Sequence, residues 1–147
     1  MTELVSPRLV LPLLAAGQAQ KEITHNEALI RLDALVGAVI EDAVTATPPS
    51  APAPGAMWLV ATGGNGAWSG EDGRIAIASS GGWRFVVPYE GLVLWDRASA
   101  TQRRFHDNMW LEPNNLPLPS GGTIVDAEAR AAIANIAALL EKWGLAA

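Results

Sequence analysis

Arg74-Ile75-Ala76-Ile77-Ala78 and Trp83-Arg84-Phe85-Val86-Val87, parted by Ser79-Ser80-Gly81-Gly82, decide the fold class. Both runs are short, partly alternating and rich in β-branched or aromatic residues, and glycine sits at their boundaries. That pattern reads as two strands joined by a turn. The same signature recurs on either side. Met57-Trp58-Leu59-Val60-Ala61 is closed by Gly63-Gly64-Asn65-Gly66, which reads as a hairpin turn, and Leu92-Val93-Leu94-Trp95 follows Gly91. Short strands at nearly even spacing predict a small antiparallel meander or barrel over residues 57–118.

Helices are expected on both flanks, which makes the fold class α+β. Residues 18–44 read as the first helix. Leu29, Leu32, Val36, Val39 and Ile40 recur at spacings of three and four and fall on one face. Thr24-His25-Asn26-Glu27 fits a capping box, so the helix could begin at Thr24; a start near Gln18 is equally open. Before it, residues 1–17 are apolar and punctuated by proline. After it, residues 45–56 carry Pro48, Pro49, Pro52 and Pro54 and read as a semi-rigid spacer. The organisation expected is therefore an N-terminal segment and helix over 1–44, a linker over 45–56, a tryptophan-rich β region over 57–118, and a helical end over 119–147.

The last helix, expected over 123–143, has the sharpest local pattern. Ala129, Ile133, Ile136, Leu140 and Trp143 are spaced four, three, four, three, the seam of two coiled-coil heptads. Asp126 or Thr123 can cap its start, Glu128 complements the N-terminal dipole, and Lys142 suits the other end. Gly144-Leu145 fits a Schellman stop. Two heptads are marginal alone. The helix must pack on its own domain or on copies of itself, and the seam residues Ile133, Ile136, Leu140 and Trp143 are the expected partner-binding set of a homo-oligomer.

Composition narrows the function. Of 147 residues, 17% are charged, against about 25% in an average soluble domain. A surface so thinly charged points to an apolar patch facing a partner. The net charge is −5 and the basic residues are scattered, with only Arg103 and Arg104 adjacent. Nucleic-acid binding needs a basic face, so no nucleic-acid partner is expected. The absence of cysteine excludes thiolate chemistry and disulfides. Leu9–Ala16 resembles the apolar core of a signal peptide. However, Glu3 offsets Arg8, Pro12 interrupts the run, and it falls short of the roughly 20 apolar residues that span a bilayer. No membrane insertion is expected.

No catalytic constellation, metal site or cofactor motif emerges. His25 reads as a polar residue at a helix start. His106-Asp107 are neighbours in a loop, a placement that seldom makes a working dyad. Asp107 and Glu112 are the nearest thing to a carboxylate pair for sugar hydrolysis. Gly63-Gly64-Asn65-Gly66 lacks the following Lys-Ser or Lys-Thr of a phosphate loop. The chain is read as a non-enzyme. Six tryptophans against one tyrosine and two phenylalanines leave one alternative. Aromatic faces stack on sugars, so Trp68 and Trp110, nearer turns, are possible glycan contacts on a host polysaccharide, whereas Trp58, Trp83 and Trp95 read as core.

Leu11-Pro12-Leu13-Leu14-Ala15-Ala16-Gly17-Gln18-Ala19-Gln20-Lys21-Glu22-Ile23-Thr24-His25-Asn26-Glu27-Ala28-Leu29 carries a further signal. With Met57-Trp58-Leu59-Val60, Gly66-Ala67-Trp68-Ser69-Gly70, Gly82-Trp83-Arg84-Phe85 and Gly91 four residues before Trp95, it resembles a domain of unknown function common in alphaproteobacterial prophages and gene transfer agents. The resemblance spans roughly residues 8–97. Ile124–Ile133, ending in Gly144-Leu145, is also similar to helices at the ends of phage fibre and spike proteins. The resemblance implies a virion component, assembled in the cytoplasm: a spike or fibre base, or an adaptor, that binds capsid or other virion proteins and holds a separate fibre protein. On that reading Gln18, Gln20, Lys21, His25 and Asn26 belong to an N-terminal docking surface. It implies no catalytic residues.

Overall fold

The computed structural model describes residues 4–17, 19–123 and 125–146. The expected α+β class holds. Helix α1 (Lys21–Leu35) precedes seven strands: β1 (Val39–Ile40), β2 (Met57–Leu59), β3 (Ile75–Ser79), β4 (Gly82–Val86), β5 (Val93–Asp96), β6 (Thr101–His106) and β7 (Met109–Leu111). A 3-10 turn, Gly66–Trp68, lies between β2 and β3, and helix α2 (Ala127–Lys142) ends the chain. The strands form two sheets, in the orders β2-β3-β4 and β1-β5-β6-β7.

The β3–β4 ladder runs from Ile75 opposite Val86 to Ser79 opposite Gly82, leaving the two-residue turn that Ser80-Gly81 predicts. Gly82 takes a φ of 106°, which a side chain would strain. The expected barrel does not close. Residues 41–45 run beside 57–61 instead and tie the sheets together through Glu41 N–H to Met57 O, Leu59 N–H to Asp42 O and Ala61 N–H to Thr45 O, at 2.7–3.1 Å. Nor is the pairing wholly antiparallel, since β1 lies parallel to β5. The Gly63–Gly66 run is no hairpin turn. Residues 60–74 form a longer connection, in which the Asp72 carboxylate accepts the amides of Gly63 and Gly64 at 2.9 Å each.

α1 is shorter than its pattern and buries a different face. It starts at Lys21, without a side-chain cap at Gln20, and Thr24-Glu27 make no capping box: Glu27 pairs with Arg84 of β4 at 2.9 Å. Extended Val36 and left-handed Gly37 end it, and Val39 and Ile40 become a strand. Asp33 and Ala34 are its buried residues, while Leu32 and Val36 stay exposed. Burying Asp33 has a specific cause. Residues 4–13 fold back as a narrow hairpin, with Val5 bridging Pro12, and the Asp33 carboxylate collects its donors: the Ser6 hydroxyl (2.6 Å), Leu9 N–H (2.6 Å) and Arg8 N–H (3.1 Å). In return the Arg8 guanidinium donates to the carbonyls of Asp33, Ala34 and Gly37 at 2.7–2.8 Å. Those are orphan acceptors at a helix C-terminus, where positive charge is favoured.

The proline-rich stretch is joined to the same body. Gly55 N–H donates to Ala78 O, and Ala78 N–H to Ala56 O, which prolongs the β2–β3 edge. One apolar cluster contains Ala34, Ala38, Ile40 and Ala43 together with Met57, Leu59, Ile75, Ile77, Leu92 and Leu94. The N-terminal helix and the β region thus share a core across the expected linker. A second cluster on the far side of β3 holds Val60, Trp68 and Ala76, flanked by Trp58, Trp83 and Phe85.

Candidate functional site

α2 forms as its sequence predicts. Asp126 caps it, the carboxylate accepting Ala129 N–H at 2.9 Å, and the Schellman stop is in place: Gly144 has φ 67° and Leu145 N–H donates to Leu140 O at 2.9 Å. Its attachment to the body uses small groups. Ala137, Gly144 and Ala146 are buried. Gly144 O accepts Gln102 N–H at 2.9 Å, on the part of β6 that β7 leaves uncovered, and Trp143 O accepts Gln102 Nε2 at 3.1 Å. A Cβ at residue 144 would lie 2.5 Å from the Trp95 ring and 3.1 Å from the Gln102 nitrogen. Only glycine fits so close a crossing.

Most of the large side chains of α2 stay open to solvent. Ile133 is 42% exposed, Ile136 57%, Leu139 56% and Trp143 65%. These four lie within about a third of the helix circumference, given 3.6 residues per turn. Of the expected seam, Ile133, Ile136 and Trp143 are therefore on this open stripe. Leu140 sits half-buried at its margin, and Leu139, absent from the heptad pattern, joins the stripe. A contiguous exposed apolar patch on a monomer seldom exceeds about 300–600 Å². Four large apolar side chains on one helix reach that order without a partner.

The N-terminal residues divide. Gln20, Lys21 and His25 are exposed and open to contact. Asn26 is not: its side-chain amide bonds both N–H and C=O of Leu14 at 2.9 Å, which holds the N-terminal segment against α1. Gln18 lies outside the described residues. The hairpin tip presents exposed Leu9 and Val10, and Val10 has φ 56°, a strained value for a β-branched residue.

The tryptophans reverse the expected ranking. Trp68 is the most buried of them, at 0% exposed, and meets Trp83 edge to face at 5.1 Å and 80°. Trp58 and Trp83 are half-buried around it. Trp110 is also half-buried; it packs on Phe105 at 5.2 Å and donates its indole N–H to Gly73 O at 3.0 Å, closing the gap between the sheets. Trp110 is partly exposed, whereas Trp68 offers no ring face to a sugar, which corrects the glycan-contact expectation for it. The reason is that the 3-10 turn folds Trp68 inward beneath the second cluster.

Charged groups meet at two further places. Arg103 and Asp96 are both buried and paired at 2.7 Å, and Glu112 joins the guanidinium from outside. Asp96 also accepts Ala98 and Ser99 N–H and so shapes the β5–β6 turn. Glu112 is thus committed to Arg103 and does not pair with Asp107. Glu90, His106 and Asp107 gather within 4.8 Å of one another, the arrangement nearest to a metal centre among the described residues. Yet Glu90 takes His106 Nδ1 at 2.6 Å, while Asp107 lies at Nε2, 3.5 Å away. The two carboxylates thus engage different ring nitrogens of His106. The cluster is an ion-pair tie between the β4–β5 turn and the β6–β7 hairpin. The Glu90 hydrogen bond raises the imidazole pKa above its ordinary value, and the same bond lowers that of Glu90. No helix among the described residues is long and apolar enough to cross a membrane.

The candidate site is therefore an exposed apolar stripe on α2 of a small α+β body, with a clamped N-terminal hairpin whose tip is apolar. The chain belongs to the family described as "Protein of unknown function (DUF2793)", whose model matches residues 25–111. No curated protein matches it. The family match stops at the last residue of β7, so α2 and the segment leading to it lie beyond it.

Proposed function

We propose that this protein is a structural component of a phage-like particle of the gene transfer agent type: a spike or fibre base, or adaptor, that assembles as a homo-oligomer and links the particle to a separate fibre protein. The observation that carries the reading is the open stripe of Ile133, Ile136, Leu139 and Trp143 on α2. Apolar area left on one helix face is best accounted for by a protein partner, and a heptad-spaced seam suits copies of itself. The resemblance of the Gly17–Leu29 motif and the strand motifs to prophage and gene transfer agent proteins supports the virion setting. Exposed Gln20, Lys21 and His25, with the Leu9-Val10 tip, supply a second surface for capsid or other virion proteins.

Two measurements test this reading. Light scattering is expected to give a defined oligomer that Ile136→Asp reduces to single chains. Immunogold labelling of purified particles from a producing strain is expected to mark a fixed site on each particle. A monomeric wild-type chain, or particles free of label, would count against the adaptor. The host-polysaccharide alternative loses buried Trp68 and keeps half-buried Trp110, while Trp143, 65% exposed, is the most open tryptophan.

A further inference from the structure

We infer that α2 is exchanged between copies: in the assembled protein, its Trp143–Ala146 end docks on the β6 edge of a neighbouring chain rather than on its own. The inference rests on the assembly reading above and specifies which surfaces meet.

Three observations lead to it. The segment between β7 and α2 is tied to the body at Glu112, through Arg103, and otherwise bonds to Arg130 of α2 itself, through the carbonyls of Pro119 and Gly121. Fifteen residues separate Leu111 from Ala127, and residues 112–123 contain no helix or strand and are exposed except for half-buried Pro113. Extended, such a segment covers up to about 50 Å, and Pro113, Pro117 and Pro119 favour the extended form. The attachment of α2 is also self-contained. It includes Gly144 and Trp143 bonded to Gln102 and Gly144 against Trp95, with Ala137 and Ala146 also buried, and these contacts can be made identically to another copy. Exchange of such an element is a low-cost route to an oligomer, because the anchor is the same in both forms.

The third observation supplies the bias. On its own chain, α2 docks by small residues and leaves Ile133, Ile136, Leu139 and Trp143 open. Nothing among the described residues covers them fully. When helices cross between chains, each carries its stripe into the space between two bodies. There it meets the stripe of the returning helix, and the two stripes cover one another. The partner that fits is therefore a second copy.

The chain has no native cysteine, so introduced ones report without background. Gln102 and Leu145 line the same groove. The double variant Gln102→Cys with Leu145→Cys would be sized by light scattering, treated with a short bismaleimide, and run on a denaturing gel. An oligomer whose cross-linked product runs at two or more chain masses is expected. An oligomer linked only at the mass of one chain would overturn the exchange and leave the assembly reading standing. A monomer linked within itself would overturn both. A chain left unlinked would show that residues 102 and 145 do not meet, and would remove the anchor on which the exchange depends. The single variants, treated alone and then mixed, control for linking at equivalent positions: only the mixture should give the product.

Discussion

The Ser6 hydroxyl donates to Asp33 Oδ1 at 2.6 Å, with both residues buried. This bond joins the N-terminal hairpin to the last turn of α1. It is one of three that converge on the Asp33 carboxylate, and Arg8 answers with three bonds to backbone carbonyls. The arm is thus held mainly by a polar knot, while Leu9 and Val10 at its tip stay outside.

Asp33→Ala leaves the buried Ser6 hydroxyl and the partly buried amides of Arg8 and Leu9 without their acceptor. A buried group stripped of its partner costs about 1–3 kcal/mol, so this variant is expected to lose roughly 3 kcal/mol in urea unfolding. Ser6→Ala removes one donor to Asp33 and the acceptor of Leu11 N–H, and is expected to lose about 1–2 kcal/mol. Limited proteolysis should then cleave near Leu9-Val10 much sooner in Asp33→Ala than in wild type. Equal cleavage rates would mean that the arm is held by something other than the carboxylate.

Much of the fold was legible because glycine punctuates it. The β3–β4 pair and its turn follow from Ser80-Gly81 between two β-branched runs, and α2 follows from its cap, its spacing and Gly144. What local pattern could not show was tertiary choice. Leu29, Leu32 and Val36 made a convincing apolar face, yet α1 turned Asp33 inward because the hairpin brought it three donors from 24 to 27 residues away. The β6–β7 hairpin went unread because its turn is Asp107-Asn108, both at positive φ, without glycine. Asp and Asn tolerate that conformation, and the pair was the available signal. The candidate site was half visible. The seam residues were found, but Gly144 read only as a helix stop, whereas its lack of a side chain is also what admits the chain against Trp95.

Gly144→Ala tests that double role. The added Cβ meets the Trp95 ring and the β6 backbone, and φ 67° disfavours any side chain. The expected cost is above the roughly 1 kcal/mol of a simple lost left-handed cap. Amide exchange should show α2 loosening while β2–β4 keep their protection. Uniform loss of protection throughout would mean that α2 is integral to the core rather than attached at its end.

The His106–Glu90 pair should set a pH window. The imidazole, raised chiefly by its bond to Glu90 and further by Asp107, stabilises the folded state fully below its ordinary value of 6.5, and this is lost as pH climbs through the raised value. Glu90, lowered chiefly by the same bond, contributes above its ordinary value of 4.5 and stops contributing as pH falls through the lowered value. The tie is therefore intact between those two folded-state values. In an NMR titration His106 is expected to ionise above 6.5, and Glu90→Gln should bring it down towards that figure. A wild-type value at or below 6.5 would show that the tie does not form in solution.

Trp68 offers the sharpest test of the tryptophan cluster, because it is fully enclosed while its indole N–H has no hydrogen-bond partner among the described residues. The ring is therefore held by packing, edge to face against Trp83 and tilted at 6.3 Å from Trp58. Trp68→Phe forfeits no hydrogen bond and is expected to cost about 1–2 kcal/mol. Trp68→Ala opens a cavity and should cost about 3–5 kcal/mol. Equal losses in the two variants would mean that the indole nitrogen has a partner after all. The comparison also bears on the polysaccharide alternative. Loss of cell binding in Trp68→Ala would report a collapsed cluster, since that ring reaches no ligand. Binding through aromatic faces must instead be sought at exposed Trp143 and at half-buried Trp58 and Trp83, whose substitution should weaken attachment at a cost in stability smaller than that of Trp68→Ala.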